Sequence, residues 1–125
     1  MYQILKGGCD TRHCGSFFMQ RPEGLPNYIL LIIKSHCAFH IDGRREHVTP
    51  GHAINISPGT PYSYNSTGDA YTDDYLHFSV EDPFLFDRLY PITNVLFPVK
   101  NTEMLTSSMG KLLQAGVVTN ARKNF

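Results

Sequence analysis

Apolar and polar positions alternate in short blocks through the middle of the chain, and turn-forming residues separate the blocks at regular intervals. The turn signals are Arg21-Pro22-Glu23-Gly24, Asp42-Gly43, Pro50-Gly51, Pro58-Gly59 and the cluster from Asn65 to Gly68. Short β-rich segments at this spacing predict an all-β sandwich or barrel. The run YILLII, from Tyr28 to Ile33, is apolar without a break and predicts a strand covered on both faces. Cys37 to Ile41 predicts the next strand. Asp42-Gly43 can supply the positive φ angles of a tight hairpin turn, so Arg45 to Val48 returns antiparallel. His52 to Ile56 and Tyr62 to Tyr64 follow the two Pro-Gly pairs. Tyr71 to Val80 is the longest strand expected.

The period changes after Val80. Asp82-Pro83 predicts a helix start, a capping side chain followed by a residue with no amide hydrogen to strand. That helix stops by Tyr90, because Pro91 disfavours helical geometry just before it. Asn94 to Val99 predicts one more strand. From Thr102 the spacing is helical: Leu105, Met109, Leu112 and Leu113 fall on one apolar face. Gly116 is placed to end this helix in a left-handed cap. Thr119 to Phe125 reads as a linker or chain end without packing.

Composition narrows the functional classes. At 125 residues the chain is one domain, and it buries roughly 65% of its extended-state surface without metal or disulfide staples. Lys plus Arg and Asp plus Glu are 11 each, so the net charge is zero. That excludes an electrostatically driven nucleic-acid binder. Eight Phe and seven Tyr exclude a disordered tail. Cys9, Cys14 and Cys37 form no CxxC, and no signal peptide is recognisable, so the thiols read as reduced and the compartment as cytoplasmic. The longest apolar run is too short to span a bilayer, and no membrane partner is expected.

Metal chemistry finds little support. Two His in a His-x-His pair share a strand face ~7 Å apart, but the chain has no such pair. His36 and His40 share a face ~13 Å apart, too far for one ion. Cys9, His13 and Cys14 offer only three ligands in a Gly-rich segment. No nucleophile elbow or phosphate loop occurs. Neither a metal nor another cofactor is expected. Asp73 and Asp74 are adjacent on a strand and face opposite ways, which leaves Asp74 expected in solvent. One face of that strand reads Tyr71, Asp73, Tyr75, His77, Ser79. Aromatic rings with hydrogen-bonding tips suit a small polyhydroxylated ligand, whose C–H face the rings cover. The competing reading is an exposed sheet face. Arg21, in a Pro-containing turn between aromatics, could donate to a ligand oxygen or lie on the surface.

Four features, in order, carry a family resemblance: the Arg21-Pro22 turn with Gly24 before a Tyr-led apolar strand, Ile41-Asp42-Gly43, Pro50-Gly51 before an apolar strand, and ISPGTPYSY (56–64) followed by YLHF (75–78). Over residues ~17 to 80 the chain resembles the amino-terminal ligand-binding and dimerisation domain of AraC-family transcription regulators. The resemblance implies a cupin-type double-stranded β-helix, a jelly-roll barrel, followed by one or two short helices. It divides the chain into an N-terminal arm (1–15), an effector-binding barrel (16–100) and the start of a truncated helical dimerisation segment (101–125). By position it implies Arg21, Tyr64, Asp73 and Tyr75 as ligand-binding residues. It implies a small-molecule effector, a sugar such as arabinose or a relative. It also implies a homodimer in the full-length protein, and DNA binding only through a helix-turn-helix domain absent from this chain. No enzymatic activity is expected. Metal-binding cupins carry a His just after the Pro-Gly turn, where Tyr62 stands here, which argues against a metal-dependent isomerase or dioxygenase. A stand-alone carbohydrate-binding module is the other alternative.

Overall fold

The computed structural model describes residues 2–123, with side chains described for residues 2–115. The chain order is β1 (Tyr2–Cys14), β2 (Phe18–Arg21), β3 (Tyr28–Ile33), β4 (Cys37–Ile41), β5 (Arg44–Val48), β6 (His52–Ile56), β7 (Tyr62–Ser66), β8 (Ala70–Val80), α1 (Pro83–Leu89), β9 (Phe97–Pro98) and α2 (Thr102–Lys123). Two antiparallel sheets form, ordered β1-β8-β3-β6-β9 and β2-β7-β4-β5. From β5 to β8 the chain switches sheet at each strand, so neighbours in space are distant in sequence. This is the expected cupin-type jelly roll.

Burial explains the layering. Strand β3 is covered on both faces, as its unbroken apolar run requires. Ile29, Leu31 and Ile33 point between the sheets to meet Phe39, Ile54, Ile56 and Tyr64. Ile32 points outward, where it joins Leu76, Ala53 and Met109 of α2 in a second, outer core. The β4–β5 hairpin turns on Asp42 and Gly43, with φ of 52° and 69°, the left-handed pair that matches strand twist. Asp82 caps α1 by accepting from the Leu85 amide, and Pro83 opens the helix.

Several expectations change. The segment read as an arm contains β1, which pairs along most of β8 with two register shifts, at Ile4/Lys6 and Gly8/Thr11. The strand expected at Asn94–Val99 shrinks to Phe97–Pro98. Asn94 adopts φ 62°, and its side chain holds the Ser57 amide and hydroxyl instead of extending a ladder. Helix α2 runs through Gly116 to Lys123; residues 124 and 125 of the linker reading lie outside the described residues. On α2, Met109 is buried and Leu113 half-buried, while Leu105 and Leu112 stay largely exposed. Asp74 is completely buried rather than in solvent. Its outward-facing side chain is roofed by α2, which a strand pattern alone cannot reveal.

Candidate functional site

A cavity of about 220 Å³ opens between the sheets. All four residues expected to bind ligand line it: Arg21 from β2, Tyr64 from β7, and Asp73 and Tyr75 from β8. The period-2 face of β8 reaches inward as anticipated, and His77 joins the same wall. Tyr71, one step further along that face, lies in the core beneath and donates to Asp73 Oδ2 at 2.9 Å.

Local backbone chemistry positions Arg21. It ends β2 opposite Tyr62, and the Gly24 amide donates to its carbonyl at 3.1 Å. Gly24 has φ 71°, and a Cβ there would meet the Gly59 and Thr60 backbone at 2.6 Å. Only glycine lets the Arg21 turn seat on the Pro58-Gly59 turn. The Gly59 amide closes that contact by donating to the Leu25 carbonyl. The two turns of the sequence pattern thus pin Arg21 beside the tyrosine strand. Its Nε is buried and has no hydrogen-bond partner.

Aromatic rings form the cavity floor and one side. Phe17 stacks between His13 and Tyr71, with centroids 4.0 and 5.2 Å away. Tyr64 stacks on Phe39 at 5.2 Å. Burial pushes the Tyr64 hydroxyl's pKa up, reinforced by the charge of Asp73. It does the same for Tyr62, where the nearby Arg21 cation works in the opposite direction. Both phenols therefore remain hydrogen-bond donors at neutral pH. Burial likewise pushes the Asp73 carboxyl up to about 6, with the Tyr71 hydrogen bond opposing and Asp74 adding to the rise. Burial, then the charges of Lys6 and Arg21, lower the pKa of His77. The Asn27 side-chain amide approaches His77 Nδ1 at 3.3 Å. With Nδ1 accepting, the neutral ring carries its proton on Nε2.

Lys6, Thr11, His13 and Tyr62 also line the cavity but were not among the expected ligand residues. Tyr62 had a signal, since it stands two positions from Tyr64 on one strand and shares its face. Lys6 had none: its place depends on the bulged pairing that sets it opposite His77. Cys9, His13 and Cys14 do not converge. Cys9 donates to the Thr106 carbonyl, His13 lies on Phe17, and Cys14 is exposed. Among the described residues, no three His, Cys, Asp or Glu side chains are placed to hold one metal ion.

The outer face of β8 carries a second polar cluster. Asp74 Oδ1 accepts from the Asp10 amide at 2.7 Å and from Lys34 Nζ at 2.9 Å. Its Oδ2 accepts from the Thr106 hydroxyl of α2 at 2.5 Å. Burial works against the charge of Lys34, but hydrogen bonds to Asp10 and Asp74 and their negative charges carry its pKa above the usual lysine value.

The family model for the AraC-like ligand binding domain matches residues 17–116. The chain belongs to this family. Membership makes it a small-molecule-binding regulatory domain and implies a regulatory rather than a catalytic role. Solved structures similar to this AraC-like domain include a conserved protein of unknown function from Streptococcus pyogenes, with 15% identity, 66% of this chain and 75% of that chain covered, and a TM-score of 0.48. A Cupin 2 conserved barrel domain protein from Salinispora arenicola shares 13% identity over 70% of this chain and 82% of its own, with a TM-score of 0.48. No curated protein sequence matches the chain. Among the described residues, no helix of the domain is long and apolar enough to cross a membrane.

Proposed function

We propose that this chain is the effector-binding domain of an AraC-type transcription regulator, with a small polyhydroxylated effector, a sugar such as arabinose or a relative, held between the sheets. The observation that carries this reading is the convergence of Arg21, Tyr64, Asp73 and Tyr75 on one cavity. Rings of Tyr64 and Tyr75 suit the C–H face of a sugar, while Asp73 and the tyrosine hydroxyls suit its hydroxyl groups. The cavity volume of about 220 Å³ equals about seven water molecules at ~30 Å³ each, room for a monosaccharide. The domain works in the cytoplasm, where its three thiols stay reduced.

Strand β8 supplies a route for the response. Asp73 and Tyr75 face the cavity, while Asp74 between them holds Thr106 of α2 on the opposite face. An effector acts by binding two arrangements of β8 and α2 with different affinity. Met104, Leu105 and Leu112 are exposed along α2 and supply an apolar stripe for a homodimer. DNA is then contacted by helix-turn-helix units outside this chain, and the dimer geometry controls transcription.

A thermal-shift titration against monosaccharides and sugar acids tests the reading. An effector at 100 times its Kd adds ~2.7 kcal/mol of stability, a shift of several degrees for a domain of this size. The shift is lost in Arg21→Ala and Tyr75→Ala while circular dichroism stays unchanged. Full binding by both variants, or no shift with any member of the panel, refutes it.

A further inference from the structure

The charges around the cavity do not balance. Lys6 comes from β1 and Arg21 from β2, the edge strands of the two sheets, and both line the same space. Among the described residues neither makes an ion pair. Arg21 Nε is also buried without a hydrogen-bond partner. Among the described residues, Asp73 is the only carboxyl on the wall. It is occupied by the Tyr71 hydroxyl, and its burial favours the neutral form. His77 feels the two cations, which join burial in disfavouring a third positive charge there. A partly buried guanidinium with an idle N–H is costly unless an anion completes it.

We propose that the effector is a small polyhydroxylated carboxylate, a sugar acid rather than a neutral sugar, with its carboxylate held by Arg21 and Lys6. This deepens the effector reading above and rests on it. The guanidinium fork offers paired donors in the geometry a carboxylate accepts. Lys6 is largely exposed and closes the charge from the outer side. The hydroxyls of the ligand then meet Asp73, Tyr64 and Tyr75. A long acyl chain is excluded by the volume, about 220 Å³, and by the number of polar groups on the wall.

Isothermal titration of the chain with matched pairs tests this: D-galacturonate against D-galactose, D-glucuronate against D-glucose, and L-arabinonate against L-arabinose. At least one acid binds about tenfold or more tightly than its neutral parent, the worth of one charge-assisted contact. Added NaCl weakens the acid and leaves the neutral sugar unaffected. Arg21→Gln removes the preference for the acid. Lys6→Met, at an exposed position that carries little folding risk, reduces it several-fold. Binding of a neutral sugar with no acid in the panel binding more tightly than its parent overturns the charge assignment and leaves the sugar-effector reading standing. Silence from both acids and neutral sugars overturns both.

Discussion

Replacing Asp74 tests whether the polar cluster under α2 holds the domain together. Asp74 is completely buried and accepts from the Asp10 amide, Lys34 and Thr106. Asp74→Ala leaves the bulge amide unpaired and strips Lys34 of its buried partner, while the Thr106 hydroxyl keeps only the Thr102 carbonyl and Lys34. Removing one partner of a buried ion pair costs about 3–5 kcal/mol. Lys34 is 17% exposed and keeps Asp10, so the lower end, about 3 kcal/mol, applies here. That is a large part of the ~5–15 kcal/mol expected for a whole domain. At about 4 °C per kcal/mol for a chain of this length, Tm falls by roughly 12 °C. Asp74→Asn keeps one acceptor oxygen, for Asp10 or Thr106, and loses the charge and the other acceptor, so it costs about half as much, ~1.5 kcal/mol. The assay is urea unfolding followed by circular dichroism, with the midpoint moving and the slope unchanged. A double-mutant cycle with Thr106→Val shows a coupling of at least ~0.5 kcal/mol, because the two groups share one hydrogen bond. A loss below about 1 kcal/mol in Asp74→Ala refutes the reasoning; α2 would then be held by Met109 and Leu113 alone.

Other outcomes follow from the same geometry. The Asp73 carboxyl is raised to about 6 from the usual ~3.9 of an unfolded chain. The folded state therefore binds the extra proton, and stability is lost as pH rises through ~4 to 6, by about 3 kcal/mol in total. Asp73→Asn lacks this loss, so the stability difference between variant and parent grows across that window and is flat above it; a parallel pair of pH profiles contradicts the assignment. A Cβ at Gly7 would lie 2.7 Å from both the Tyr75 carbonyl and Leu113, so Gly7→Val lifts α2 from β1 and costs about 1–3 kcal/mol by urea titration. Cys37 is buried, and burial carries its thiol up to about 12, so it stays unlabelled by a thiol reagent in native buffer while exposed Cys14 reacts.

The barrel was legible because local chemistry and tertiary demand coincide over residues 20–80. YILLII can be only a strand covered on both faces, and Asp42-Gly43 turns the hairpin with the φ signs its residues favour. The same agreement made the inward face of β8 readable, since alternation along an unbroken strand carries Asp73, Tyr75 and His77 to one side. β1 was not legible. Its Gly7-Gly8-Cys9-Asp10 run breaks the alternation at bulges, and it becomes a strand only by pairing with β8, which is distant in sequence. Asp74 was misplaced for a related reason: a sheet's outer face is polar by default unless a helix covers it, and no local signal announces the cover.

Hydrophobic spacing and turn chemistry alone therefore determined the all-β class, the strands from Tyr28 to Val80 and the shared face of Asp73 and Tyr75, while Arg21 and Tyr64 were assigned to the candidate site only through the family resemblance. Only the tertiary structure decided that Lys6 and Tyr62 share that site, that the Arg21 Nε is buried without a hydrogen-bond partner, and that Asp74 is roofed by α2. Periodicity reports which side of its own element a residue occupies. What lies opposite that side depends on pairings between distant segments, here β1 with β8, the Arg21 turn on the Gly59 turn, and α2 on the outer sheet face.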